Sequence, residues 1–185
     1  MLITIAILGI LAATVIPQFS ASAPDQVLGA AQILVADLDY ARALAIANGT
    51  RYELKFEPAQ NRYILTHSGT NSNFDRLPEN PFRKPSADRK QFVVALDDFP
   101  QFGTSVKIVS VHTAETSSKL VGTLEFDSLG QTTREQPTLI WLSSTAGAES
   151  LFLPVEVNPV TGLAAIGEFT RQAPILSPNL EATKS

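Results

Sequence analysis

His67 and His112 are the only histidines in this sequence, and histidine is the side chain that most readily exchanges a proton near neutral pH. Neither stands in a motif that would put it to work: no H-E-x-x-H, G-x-S-x-G or phosphate-loop pattern occurs. Each falls at the end of a strand-like run, where a lone histidine is expected at the surface rather than as a base. Asp97 and Asp98 are adjacent, so in a strand they would face opposite ways and could not form an acid/base pair. As calcium ligands they lack the dense oxygen spacing of a binding loop. Asn48-Gly49-Thr50 fits a glycosylation pattern, but its place at a helix end favours a capping role. The chain has no cysteine, which removes disulfides, thiol catalysis and thiolate metal sites together. These residues predict no enzyme, no metal site and no cofactor.

One stretch gathers cations. Ser68 to Gln91 is rich in Asn, Pro and Ser, with Phe74 and Phe82 set among Arg76, Arg83, Lys84, Arg89 and Lys90. Asp75, Glu79 and Asp88 partly offset them. Long irregular loops are often functional, and basic residues with aromatics can hold single-stranded nucleic acid. A solvated loop is the first expectation here, a protein contact the second and a DNA contact the third. The formal charge of the chain, -4 at pH 7, argues against nucleic acid as the main partner, because such binding is driven by excess Lys and Arg.

The elements that position these residues start with an apolar run. MLITIAILGILAATVIPQF contains no charged residue, and the first charge is Asp25. From Met1 to Ile16 the polar or small interruptions are Thr4, Gly9 and Thr14, all tolerable in a lipid-facing helix. This run makes roughly 24 Å of helix at about 1.5 Å per residue, a little short of a bilayer core of about 30 Å. Three readings compete. A buried core helix would need cover on every face. A signal peptide cut after Ala21-Ser22-Ala23 lacks a basic flank and would leave Pro24 first in the mature chain. A membrane helix that begins upstream explains both the shortness and the missing flank, and it is the favoured reading.

Pro17 removes a backbone donor and loosens the helix locally, and Pro24 does so again. Val27, Ala31, Leu34, Leu38, Ala41 and Ala45 then form one apolar stripe at helical spacing, with Gln32, Asp39 and Arg42 expected toward solvent. Asn48-Gly49 ends this helix. Strand signals follow: Tyr52, Leu54 and Phe56 alternate with charged residues, and a loop from Glu57 to Asn61 returns the chain as a hairpin through Arg62 to Thr66. Further candidates are Phe92 to Leu96, Val106 to Val111, Leu120 to Phe126, Thr138 to Leu142, Leu151 to Val157 and Leu163 to Phe169. Asp127-Ser128-Leu129-Gly130 and Asn158-Pro159-Val160-Thr161-Gly162 read as turns, and Trp141 as core. A long helix followed by strands predicts an α+β fold, the helix packed on antiparallel sheet.

The N-terminal residues MLITIAILGILAATVIPQF resemble the start of type IV pilins and type II secretion pseudopilins. In that family a basic leader ending in Gly is cut before Phe-Thr-Leu-Ile-Glu, and the apolar helix runs on to a proline. Placing Pro17 on that proline puts Met1 directly after the family's Glu. The resemblance therefore implies a natural start further upstream, with the leader, the methylated Phe and the Glu. LVADLDYARALAIANGTRYELKFEPAQNRYIL resembles the opening of the H-type minor pseudopilin domain, also found in FimT-like minor pilins. GTLEFDSLGQ and EVNPVTGLAAIGEF resemble its later strand-turn elements.

By this resemblance the fold is type IV pilin-like. Residues 1-24 form the membrane and filament helix, 25-170 a periplasmic α+β domain, and 171-185 a flexible tail. The implied function is a minor pseudopilin of a type II secretion pseudopilus, in the bacterial inner membrane as a single-pass protein. A FimT-like minor pilin that binds DNA for uptake is the alternative. Its partners would be other pilins or pseudopilins, the inner membrane, a prepilin peptidase and an assembly platform. Leu2, Ile3, Ile5, Ile7, Leu8, Ile10, Leu11, Val15 and Ile16 would supply helix contacts, and Gly9 a close approach.

Overall fold

The computed structural model describes residues 22-79, 89-102, 105-114, 119-146 and 149-174. The apolar run from Met1 to Ile16, Pro17 and the last eleven residues of the expected tail lie outside these. Among the described residues no helix is long and apolar enough to cross a membrane.

Helix α1 (Ala23–Asn48) is the spine of the fold. Ser22 precedes it in an extended conformation, and Pro24 occupies the first turn, where its missing donor costs nothing. The stripe buries Val27, Ala31, Leu34, Leu38, Ala41 and Ala45 as its spacing predicts, joined by Ala30 and Leu44. Gly49 ends the helix in the left-handed conformation, φ 59°, its N–H bonded to the Ala45 and Ile46 carbonyls. Gln32 and Asp39 face solvent as expected. Arg42 does not: it is half-buried, because its guanidinium is held by the carbonyl of Gly130.

Among the described residues, eight strands form two antiparallel sheets of four. The first takes β1 (Tyr52–Glu57), β2 (Arg62–His67), β3 (Gln91–Ala95) and β5 (Thr123–Phe126) in the order β3-β2-β1-β5. The second takes β4 (Val106–Thr113), β6 (Thr138–Ala146), β7 (Glu149–Val157) and β8 (Ala164–Ile166) in the order β4-β6-β7-β8. Registers place Leu54 beside Leu65 and Leu124, and Ile140 beside Val111 and Val155. Alternation then sends each of these side chains to the buried face. The helix lies against both sheets, which makes the fold α+β with the helix packed on antiparallel sheet, as the element order predicts.

Several boundaries differ from the sequence expectation. β5 starts at Thr123 rather than Leu120, because Leu120 is engaged in an isolated bridge to His112 of β4. β8 is only Ala164 to Ile166 of the expected Leu163 to Phe169, the chain returning at Thr170 to bridge Phe152. Asp97 and Asp98 stand in a short 3-10 turn, Leu96–Asp98, instead of a strand. Trp141 is half-buried on the outer face of its sheet rather than in the core, since its neighbours Ile140 and Leu142 take the inner positions.

One buried carboxylate interrupts the apolar stripe. Asp37 faces inward from α1 and accepts a 2.5 Å hydrogen bond from the Tyr63 hydroxyl of β2. Burial of a carboxylate is tolerable only with such partners, and the bond fixes the helix against the first sheet.

Candidate functional site

The structure brings together only part of the basic stretch. Arg83 and Lys84 lie outside the described residues. Arg89 adopts φ 53° and forms an ion pair with Glu79, so its charge is already compensated. Arg76 and Lys90 are exposed. The Leu77 N–H bonds the Arg89 carbonyl at 2.8 Å, which closes the stretch at its neck. Leu77 itself is buried. The described first part is therefore fastened to the fold, while Asn71, Ser72, Asn73, Arg76, Pro78 and Glu79 are exposed.

The fastening runs through His67. Its Nδ1 meets Asp75 Oδ1 at 2.9 Å and its Nε2 meets Thr50 Oγ1 at 2.9 Å. Carboxylate, imidazole and hydroxyl in this order are the parts of an acyl-transfer relay. The surroundings defeat that use. The His67 side chain is 1% exposed, and a Cβ built on Gly69 would lie 2.0 Å from Thr50 Oγ1, so the Gly69 backbone covers the hydroxyl. The arrangement is a clasp that joins the end of α1, the end of β2 and the loop start. Phe74 and Tyr52 pack edge-on to the imidazole. The surface position expected for His67 is thus corrected: a ring with two hydrogen-bond partners and two aromatic neighbours is stable inside.

His112 is buried as well, against the same expectation. Its Nε2 accepts from the Trp141 indole N–H at 3.2 Å, the two rings stacked. Burial pushes its pKa below the ordinary histidine value. Its Nδ1 is buried with no hydrogen-bond partner. Among the described residues no carboxylate pairs with it.

Among the described residues no three His, Asp or Glu side chains converge as a metal ligand set would require. Asn48 and Thr50 of the glycosylation pattern are engaged at the helix end, Asn48 Nδ2 donating to the Tyr52 hydroxyl at 2.8 Å. The polar chemistry described so far serves to position elements.

Two surface features remain. At the amino half of α1, Asp25, Gly29, Ile33, Ala36, Gln101 and Phe102 border a groove of about 460 Å³. At the carboxyl end, the turns Asp127 to Gly130 and Asn158 to Gly162 close on the helix. Gly162 packs so near that a Cβ there would lie 1.9 Å from the Gly130 carbonyl oxygen, and Arg42 Nε donates to that same oxygen at 3.2 Å. Sequence reading found both turns but not their common anchor, since nothing local ties Arg42 to residues so distant in the chain.

No protein-family profile matches the chain, and no curated protein matches it. Among solved structures it is similar to two crystal forms of the type IV minor pilin FimU of Pseudomonas aeruginosa. One is 13% identical with a TM-score of 0.43, covering 76% of this chain and 92% of that one. The other is 12% identical with a TM-score of 0.44, covering 81% and 90%.

Proposed function

We propose that the chain is a pilin-like structural subunit, a minor pseudopilin of a type II secretion pseudopilus. In this reading it sits in the bacterial inner membrane through one apolar helix, with the α+β domain on the periplasmic side. Its work is assembly rather than catalysis. The observation that supports this is an arrangement along one chain. An uncharged apolar run, Met1 to Ile16, stands just upstream of a helix whose inner face is the spine of an antiparallel domain. A helix that is apolar on every side must find cover in lipid or in other helices, while the amphipathic helix after it is already covered by its own sheets.

Leu2, Ile3, Ile5, Ile7, Leu8, Ile10, Leu11, Val15 and Ile16 would then pack among neighbouring subunits, Gly9 allowing close approach. Processing by a prepilin peptidase and N-methylation belong to the same proposal. The Leu8→Asp variant tests it: incorporation into filaments should be lost while the α+β domain stays folded by circular dichroism. Normal incorporation would overturn the packing role. DNA binding for uptake gains little from the folded domain, where Glu79 compensates Arg89. Salt-sensitive DNA binding that weakens on neutralising Arg83, Lys84, Arg89 and Lys90 would favour it instead.

A further inference from the structure

Strand β4 changes face part-way along. Val106 and Ile108 are buried in the core, and so is Val111, because a bulge between Ile108 and Ser110 inserts one residue. The bulge turns Ser110 and His112 to the outer face of the sheet, which they share with Trp141. Polar side chains on an outer face are ordinarily wet, yet these two are only 2% and 5% exposed. The register sets Trp141 across from Ser110 and Leu139 across from His112, two large side chains beside two polar ones.

One polar bond ties the indole down. An indole nitrogen can only donate, so the imidazole accepts at Nε2, over 3.2 Å, and its single proton sits on Nδ1. That proton has no acceptor: Nδ1 is buried without a partner, and so is Ser110 Oγ. Buried polar groups in this condition are rare and weigh against the closed arrangement. Water would satisfy both. The closed face is therefore held by burial of the rings and by the indole bond, against two unmet polar groups.

A second proton on the imidazole must go to Nε2. There it would set one N–H against another, and the indole bond could not form. We propose that His112 and Trp141 form a proton-operated latch, in which protonation of His112 at Nε2 releases the indole and admits water to Ser110 and Nδ1.

Burial, rather than a charged neighbour, sets the latch. It is the one cause that lowers the pKa of His112. On β4, Lys107 lies before the bulge and pairs with Asp97. On β7, Glu156 lies beyond Leu139. Lys119, whose carbonyl accepts from the Thr113 N–H, is exposed. None of these contributes to the shift. The closed form should thus be complete above the ordinary histidine value, about pH 6.5, and be lost as pH falls through the lowered one.

Trp141 is the only tryptophan and His67 the only other histidine, so the full chain in detergent solution reports on the latch directly. Lowering the pH from about 7.5 to about 5 should red-shift the indole emission and raise its quenching by acrylamide severalfold, with far-UV circular dichroism unchanged. His112→Gln, whose amide oxygen can accept the indole bond at every pH, should abolish the change, and His67→Gln should leave it. Trp141→Phe removes the donor, and the His112 ring protons followed by NMR should then titrate at higher pH than in the parent chain. Emission that stays constant down to the onset of unfolding would overturn the proposal. So would a fall in intensity without red shift or added quenching, the sign of an imidazolium beside a fixed indole. A red shift that coincides with loss of circular dichroism, or that survives in His112→Gln, would overturn it as well. Equal titration of His112 with and without the indole would remove the coupling on which the latch depends.

Discussion

The side-chain amide of Asn61 stands in for a neighbouring strand along the first half of the outer edge of β4. Its Nδ2 donates to the Val106 carbonyl at 2.9 Å and its Oδ1 accepts from the Ile108 N–H at 2.9 Å. These are the bonds a neighbouring strand would make. Asn61 belongs to the β1–β2 hairpin, so this one residue joins the two sheets, and its φ of 50° suits asparagine better than most residues.

Replacing Asn61 with alanine leaves two buried backbone groups without partners, each costing about 1-3 kcal/mol. Urea unfolding of Asn61→Ala should show a loss of about 2-6 kcal/mol. Asn61→Gly, which tolerates the backbone angle, should recover only the strain part of that loss. A change within experimental error for Asn61→Ala would dismiss the edge role.

Asp97 shares the same amide. Hydrogen bonds from Asn61 and then from Lys107 hold its pKa below the ordinary carboxylate value. A depressed carboxylate contributes stability that is complete above its unfolded pKa and is lost as pH falls through the folded one. Stability should therefore decline below about pH 4, and Asp97→Asn should flatten that decline. An unchanged acid limb would remove Asp97 from the account.

His112 acts on a different pH range. Burial lowers its pKa, so the unfolded chain binds the proton more readily than the folded one. Stability should be complete above the ordinary histidine pKa of about 6.5 and fall as pH drops below it. His112→Gln, which keeps an acceptor near the Trp141 indole, should remove this slope below about pH 6.5. Thermal unfolding across that interval checks it.

Two glycines with positive φ separate strain from crowding. Gly49 has φ 59° with nothing within 4 Å of a Cβ, whereas Gly162 has φ 65° with the Gly130 carbonyl oxygen at 1.9 Å. Gly49→Ala should cost about 1-2 kcal/mol, the price of the left-handed backbone alone. Gly162→Ala should cost more and should loosen the corner around Arg42, read as faster amide exchange at Leu129 and Leu163. Equal losses would show that the turns are not packed on each other.

The stripe on α1 and the alternation in β1 were legible because each reports a face, and faces repeat at 3.6 or 2 residues. The cap at Gly49 and both later turns were legible for the same local reason. Asn61 looked like a turn residue, which it is, yet its edge-capping bonds reach residues more than forty positions away. His67, His112 and Arg42 read as surface residues in the sequence because their partners Asp75, Trp141 and Gly130 come together only once the sheets are paired. Asp37 sits inside the stripe with no local sign that Tyr63 waits opposite. Periodicity sees burial, but not the polar bonds that make burial of a polar group affordable.

The bond that closes the neck between Leu77 and Arg89 has a consequence for how this family of shapes can vary. With Leu77 seated in the core and its N–H bonded to the Arg89 carbonyl, the two ends of this segment are held together whatever its length. Loop-closure entropy grows only as the logarithm of length, about 0.6 kcal/mol per doubling. Insertions there would be nearly free, so this is the position at which the scaffold can be given a new epitope or a longer arm without being asked to refold.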